Sequence, residues 1–314
     1  MATPMDRAQF PYLYRHSGLL IASQLELPEW ASFGQVERGE PHVRIVLDPP
    51  LAENPTESRH SGTGGVLEFT VEEAGTWTVS GGNTIRIAPA PDARAPELRL
   101  FTLGSAWGAL GYQRGFAMLH GSAVAVDDGA VLFVGYSTQG KSTMAAAMIL
   151  RGHRLVADDL SRVDPPGEAG GAPQLYPSAA RIKLWDTAID RFGWQDRPRE
   201  QDHFRTNKFH LPIAGDIPRD PVPLKAIYSL DWRPEISFNR LRGGAALTEL
   251  LSKSLYRQHF LEAMGNFSDQ VLQCVDFTRS VPIWELGRPQ DFAQLDAVCD
   301  ALERHWASGE AFSP

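Results

Sequence analysis

Val131-Leu132-Phe133-Val134-Gly135-Tyr136-Ser137-Thr138-Gln139-Gly140-Lys141-Ser142-Thr143 decides the fold of this chain. An apolar, β-branched run enters a glycine-bounded turn, and the alanine-rich run Met144 to Leu150 then reads as a helix. The spacing satisfies G-x-x-x-x-G-K-[ST] at every fixed position. The task of holding a polyanion explains those residue types. Glycines let the backbone come close, successive N–H groups form an anion nest, and the helix start adds its positive dipole end. In such a loop Lys141 reaches the outer phosphates and the Ser142 hydroxyl ligates Mg²⁺. The stretch therefore predicts a nucleoside triphosphate site made by Gly135, Ser137, Thr138, Gln139, Gly140, Lys141, Ser142 and Thr143.

Working upstream, Leu119 to Val126 and an Asp127-Asp128-Gly129 turn lead into the loop strand as a candidate hairpin. Downstream, Arg151-Gly152 supplies a basic last turn and a glycine stop. His153-Arg154-Leu155-Val156-Ala157-Asp158-Asp159-Leu160 follows. Two acids at the end of a short apolar strand suit Mg²⁺ and a general base. Neighbouring strand residues point to opposite faces, so one carboxylate can face the nucleotide while the other anchors metal or backbone. An imidazole at His120, if its strand adjoins the loop strand, can hydrogen-bond an aspartate and tune its basicity.

The block Leu119 to Val163 closely resembles the catalytic domain of bacterial HPr kinase/phosphorylase. It shares Leu119-His120-Gly121, the phosphate loop and, above all, Arg151-Gly152-His153-Arg154-Leu155-Val156-Ala157-Asp158-Asp159. The resemblance implies an α/β, PEP-carboxykinase-like P-loop kinase core that uses ATP and Mg²⁺ to phosphorylate a serine hydroxyl. By position it implies Asp158 as catalytic base, Asp159 in the metal-and-base cluster, His120 assisting the base, and Lys141 and Ser142 on phosphate and Mg²⁺. After Val163 the chain departs: Tyr176-Pro177-Ser178-Ala179-Ala180 carries no acid where that enzyme has a metal-associated glutamate. The signature run for handling HPr is missing as well. The whole chain is similar to HPr-kinase-related proteins of lasso-peptide and other ribosomal-peptide pathways, some of which phosphorylate a serine of a precursor peptide. The expected partner is thus a peptide or small protein bearing an acceptor serine, with homo-oligomer formation a further family trait. The rival expectations are a small-molecule hydroxyl kinase and a nucleotide-gated peptide-binding module without transfer.

Composition bounds the rest. The chain has 314 residues, 43% hydrophobic and 22% charged, enough for a sizeable core and more than one domain. A net charge of −8 argues against a general nucleic-acid binder. Cys274 and Cys299 lack metal-ligand spacing and read as small buried hydrophobes of a reduced compartment. Met1 to Arg7 shows no signal-peptide pattern, and no apolar run approaches a membrane span, so the expected location is cytoplasmic and off the membrane.

Residues 1–96 read as a small β-rich domain and residues 97–314 as the catalytic domain. Strands are predicted at Gly18–Ser23, Val43–Leu47, Val66–Thr70, Trp77–Ser80 and Thr84–Ala88, with Ser80-Gly81-Gly82-Asn83 as a hairpin turn in an antiparallel sheet. Ser58–Gly65 reads as a loop, with His42 and His60 isolated in loop context; Leu98–Thr102 reads as a strand and Ser105–Met118 as a helix. In the last third, Pro165–Pro173 is a Pro/Gly-rich loop and Gly193–Lys208 a long charged loop suited to a lid. Arg181, Lys183, Arg205 and Lys208 are candidate cations for phosphate or substrate. Val222–Leu230 and Val281–Leu286 read as strands, Leu247–Met264 and Asp291–Trp306 as helices.

Overall fold

The loop strand and its neighbours form the expected α/β arrangement, preceded by a β-rich region. The computed structural model describes residues 9–33, 39–166, 170–213 and 217–313. Met1–Arg7 and residues 167–169 of the Pro165–Pro173 stretch lie outside them. Two compact units divide the chain, Met1–Met118 with Arg257–Gln270, and Leu119–Tyr256 with Val271–Pro314.

The first unit is built on seven strands: β1 (Tyr12–His16), β2 (Leu19–Ser23), β3 (Val43–Leu47), β4 (Arg59–Thr63), β5 (Val66–Val71), β6 (Gly75–Ser80) and β7 (Thr84–Pro89). Their order is β1-β2-β3-β7-β6-β5-β4. Alternation does the work: Trp77 and Val79 of β6 and Ile85 and Ile87 of β7 are fully buried, and their neighbours are not. Each such side chain contributes about 1.5–3 kcal/mol on burial. Gly81 and Gly82 both take positive φ, as a tight hairpin turn between right-twisted strands requires.

Several expectations change here. The sheet is mixed rather than antiparallel, because β3 lies parallel to both β2 and β7. Ser58–Gly65 is not simply a loop: Arg59–Thr63 pairs with β5, which puts His60 on an edge strand opposite Phe69. Helix α6 (Gln258–Met264) packs on that strand so closely that a Cβ at Gly62 would meet the Ala263 carbonyl at 2.4 Å. Leu98–Thr102 is helical, within and just beyond α1 (Ala95–Phe101). Proline enters that helix in its first turn and Glu97 closes back on the Arg94 N–H at 3.0 Å. After a π-type turn, α2 (Trp107–Gln113) ends short of Met118, since Ala117 already belongs to a strand. The compact unit runs on through these helices past residue 96, because Thr102 accepts the Trp77 indole N–H at 3.0 Å and α2 packs on β6.

The second unit carries β8 (Ala117–Val126), β9 (Gly129–Val134), β10 (Leu155–Asp164), β11 (Gln174–Leu175), β15 (Val222–Trp232), β16 (Ser237–Leu241) and β17 (Ile283–Arg288), ordered β11-β10-β8-β9-β15-β17-β16. β8 and β9 form the expected antiparallel pair, and β9, β15 and β17 run parallel. Their carboxyl ends therefore open on one edge, the edge where α/β sheets bind ligands. Helix α3 (Lys141–Leu150) follows β9 and buries Met144, Ala145, Ala146 and Met148. A separate sheet joins β12 (Arg181–Trp185), β14 (Lys208–Pro212) and β13 (Glu200–Gln201), so Gly193–Lys208 is not wholly loop. Helix α4 (Asp186–Arg191) follows β12. The predicted helix Leu247–Met264 is broken: α5 (Gly243–Ser254) ends where Leu255 turns extended and bridges to Leu119. Helices α7 (Phe267–Ser280) and α8 (Leu295–Ala307) complete the chain, α8 starting four residues after Asp291 because a short 3₁₀ turn, Phe292–Gln294, intervenes. Cys274 and Cys299 are buried thiols, and among the described residues no helix is long and apolar enough to cross a membrane.

Candidate active site

The turn between β9 and α3 is held from several sides. Gly140 caps α3 with φ +74°, a conformation that costs glycine little and other residues more. The Gln139 side chain folds inward and accepts the Tyr136 N–H at 2.6 Å, and the Gly135 N–H donates to the Lys253 carbonyl at 3.3 Å. Lys141 is 7% exposed, and its Nζ donates to the carbonyls of Gly135 (2.8 Å) and Tyr136 (3.1 Å). Burial lowers its pKa to about 8, against the opposing pull of Asp159 and Asp158.

Strand β10 delivers the acids. Asp158 is 8% exposed; Oδ1 accepts from Ser122 Oγ at 2.6 Å and Oδ2 from the Lys183 N–H at 2.8 Å. Ser122 Oγ lies 3.4 Å from Ser142 Oγ, which ties Asp158 to the loop hydroxyl. Burial pushes the Asp158 carboxyl up, and the Ser122 hydrogen bond offsets part of that. Asp159 has the opposite balance. Burial raises it, but Lys183 and His120 hold it well below the usual carboxylate range. Lys183 Nζ reaches Asp159 Oδ2 at 2.6 Å. The backbone at Asp159 takes φ +73°, so the β10 alternation is interrupted there.

His120 Nδ1 lies 2.7 Å from the Asp159 carbonyl, which can only accept, so Nδ1 carries the proton and Nε2 keeps its lone pair. Burial, reinforced by Lys141, lowers its pKa to about 4, so the ring is neutral near pH 7. The family-implied link between His120 and the acid pair thus runs chiefly through the Asp159 backbone, with the Asp159 carboxylate 3.7 Å away.

These groups surround one cavity of about 320 Å³. Ser137, Thr138, Gly140, Lys141, Ser142 and Thr143 line it, as do His120, Asp159, Lys183 and Lys208. Gln139 and Gly135 shape the loop from behind without lining it, and Asp158 sits behind Ser122. Of the four extra cations, Lys183 and Lys208 reach the wall, while Arg181 and Arg205 do not; Arg205 is exposed. The β12–β14 register sets Trp185 opposite Lys208, and Lys208 Nζ lies 5.5 Å from that ring. Burial lowers the Lys208 pKa, with Lys183 and Arg205 adding to the effect.

Sequence reasoning missed two parts of the wall. Ser122 stood beside the quoted His120-Gly121 pair and drew no notice, although an isolated hydroxyl in an otherwise apolar strand was the signal. Trp185, Trp232, Phe292 and Leu295 add apolar lining and Arg288 a further cation. They come from four separate segments, so no local pattern announces them.

The donors suit Mg²⁺. Ser142 and the aspartates offer hard oxygens, and among the described residues no group of three or more His, Cys, Asp or Glu side chains forms a closed metal cage. Mg²⁺ is commonly held by one or two protein oxygens, with phosphate and water completing the shell.

Residues 115–177 match the family model of the HPr Serine kinase C-terminal domain. No curated protein matches the chain. Among solved structures, the HPr(Ser) kinase/phosphatase from Coxiella burnetii aligns at 13% identity over 62% of this chain and 98% of that one, with a TM-score of 0.31. The matched segment spans β8, the phosphate loop, α3 and β10, so the core of the site is HPr-kinase-like.

Proposed function

We propose that this HPr-kinase-like protein moves the γ-phosphoryl group of ATP, with Mg²⁺, to a serine hydroxyl of a peptide or small protein, a lasso-type precursor peptide being the acceptor class its resemblance points to. One observation carries the reading: the phosphate-loop Lys141 and Ser142 share a cavity with Asp159, Lys183 and His120, with Asp158 one hydrogen bond behind Ser122. The loop amides and Lys141 bind the phosphate chain. Bound Mg²⁺ would neutralise charge between the outer phosphates, held by Ser142 and an aspartate of the pair.

Asp158 is the base of this reading. Burial makes it the more basic of the two acids, and Ser122 Oγ, on the cavity wall, is the contact through which the acceptor's proton reaches it. The acceptor oxygen bonds to the γ-phosphorus, the bond from that phosphorus to the β,γ-bridging oxygen breaks, and ADP leaves. Asp159 orients Lys183, and Lys183 with Lys208 meets the charge spread over the transferring group. His120 stays neutral and fixes the Asp159 backbone.

A second reading, nucleotide-gated holding of a peptide without transfer, is favoured by the engagement of both Asp158 oxygens by protein donors. Asp158→Asn separates the two. The kinase reading expects transfer from ATP to fall by 10²–10⁴ while ATP binding survives. Near-normal transfer in that variant removes Asp158 from the base role.

A further inference from the structure

Arg288 ends β17, opposite Trp232 of the parallel neighbour β15 and beside the carboxyl end of the phosphate-loop strand's sheet. It is 5% exposed, yet no ion pair joins it to a carboxylate among the described residues. Its guanidinium lies 4.1 Å from the Trp232 ring centroid, and one Nη donates to the Gln139 carbonyl of the phosphate loop. Nε is buried with no hydrogen-bond partner. Burial alone lowers its pKa, to about 10.

A buried, unpaired guanidinium is costly, because desolvation is not offset by a counter-charge. Arginine also has five N–H donors in a planar fork suited to phosphate oxygens. This one lines the same cavity as Lys141, Lys183 and Lys208. Gly140 opens the way between it and the loop amides, since a Cβ there would stand 2.6 Å from an Arg288 Nη. A prop for the Gln139 carbonyl alone uses one of the five guanidinium donors.

Resting on the ATP-site reading above, we infer that Arg288 is a further arm of the phosphate site, a buried cation whose counter-charge is a phosphate of the bound nucleotide. It adds a contact from two strands along the same carboxyl edge to those made by the loop itself. The Trp232 face holds the guanidinium plane, and a phosphate would take up guanidinium donors that the Gln139 carbonyl leaves over.

The test compares wild type with Arg288→Lys, which keeps the charge, and Arg288→Gln, which keeps a donor for the Gln139 carbonyl but loses the charge. Binding of Mg·ATP and of inorganic tripolyphosphate is measured by titration calorimetry, with thermal unfolding of each ligand-free protein alongside. The expected result is that Gln weakens both ligands about 10- to 100-fold, while Lys stays well within that loss. Gln binding both ligands as tightly as wild type overturns the inference and leaves the ATP site standing. Gln and Lys losing affinity equally makes Arg288 a structural prop and overturns it too. Wild type that binds tripolyphosphate through Arg288 but not ATP sinks the nucleotide reading and keeps the anion arm. Wild type that binds neither sinks both.

Discussion

The Gly135–Thr143 loop and the β12–β14 pair bring cations to one cavity by opposite routes. The loop does it within a few residues: a strand ends, glycine turns, and Lys141 opens the helix. The β12–β14 pair does it across 25 residues of chain, through a register that sets Trp185 against Lys208 and carries Lys183 to Asp159. Local geometry makes the loop a site in its own right. The sheet makes a site only because the rest of the unit holds it beside β10. The loop should therefore carry binding and the sheet should tune it.

The largest expected effect comes from the loop. Lys141→Met should lower kcat/KM for transfer by at least 10²–10³, since in the proposed reading it removes the buried cation that meets the phosphate chain. Lys208→Met, on the sheet, should cost about tenfold under the same steady-state assay. Equal losses would break the division between loop and sheet.

Next comes Lys183→Met. It strips Asp159 of its 2.6 Å partner and leaves a largely buried carboxylate uncompensated. Denaturant unfolding at neutral pH should show a loss of about 2 kcal/mol, reduced from the fully buried case because both side chains keep some exposure. Stability unchanged to within about 0.5 kcal/mol would mean that the pair is only a surface contact.

The pH profile sharpens the loop side. In the proposed reading Lys141 acts as a cation, and burial lowers its pKa to about 8. The charged form is present below that value and lost above it. Hence kcat/KM, which reports the free enzyme, should fall about tenfold per unit above pH 8. The limb in kcat should lie higher, because bound phosphate stabilises the ammonium. A flat kcat/KM to pH 9.5 would contradict the assigned environment.

The smallest effect is conformational. Gly140→Ala forces a Cβ into a φ of +74° and towards Arg288. It should cost about 1–2 kcal/mol in urea unfolding. An alanine there that stabilises the protein would show that the cap is not strained.

The legibility of the chain follows the same divide. The phosphate loop, β9, α3, Asp158 and Asp159 were readable because their chemistry sits in consecutive residues. The strands of β6 and β7 were readable because alternate residues are buried. Leu98–Thr102 misled, since its apolar content fits strand or helix and only the Pro96 and Glu97 start signal separates them. Arg59–Thr63 hid because an exposed edge strand has no apolar face to alternate. Lys183 and Lys208 were guessed as cations, but Arg181 and Arg205, equally charged and close by, do not reach the cavity. Register decides between them, and register is not written in either segment alone. Arg288 and Trp232 were invisible for the same reason: their meeting depends on two parallel strands more than fifty residues apart in the chain.

If this cavity moves phosphate rather than merely holding a nucleotide, the γ-phosphoryl group must leave ATP for an acceptor. The most direct measurement is incubation of the full chain with γ-labelled ATP, Mg²⁺ and a panel of serine-bearing peptides beside small hydroxyl compounds, with Asp158→Asn as control. Label on a peptide serine, lost in the control, is the predicted result. ATP bound with its label never leaving the nucleotide pool for any acceptor would contradict it.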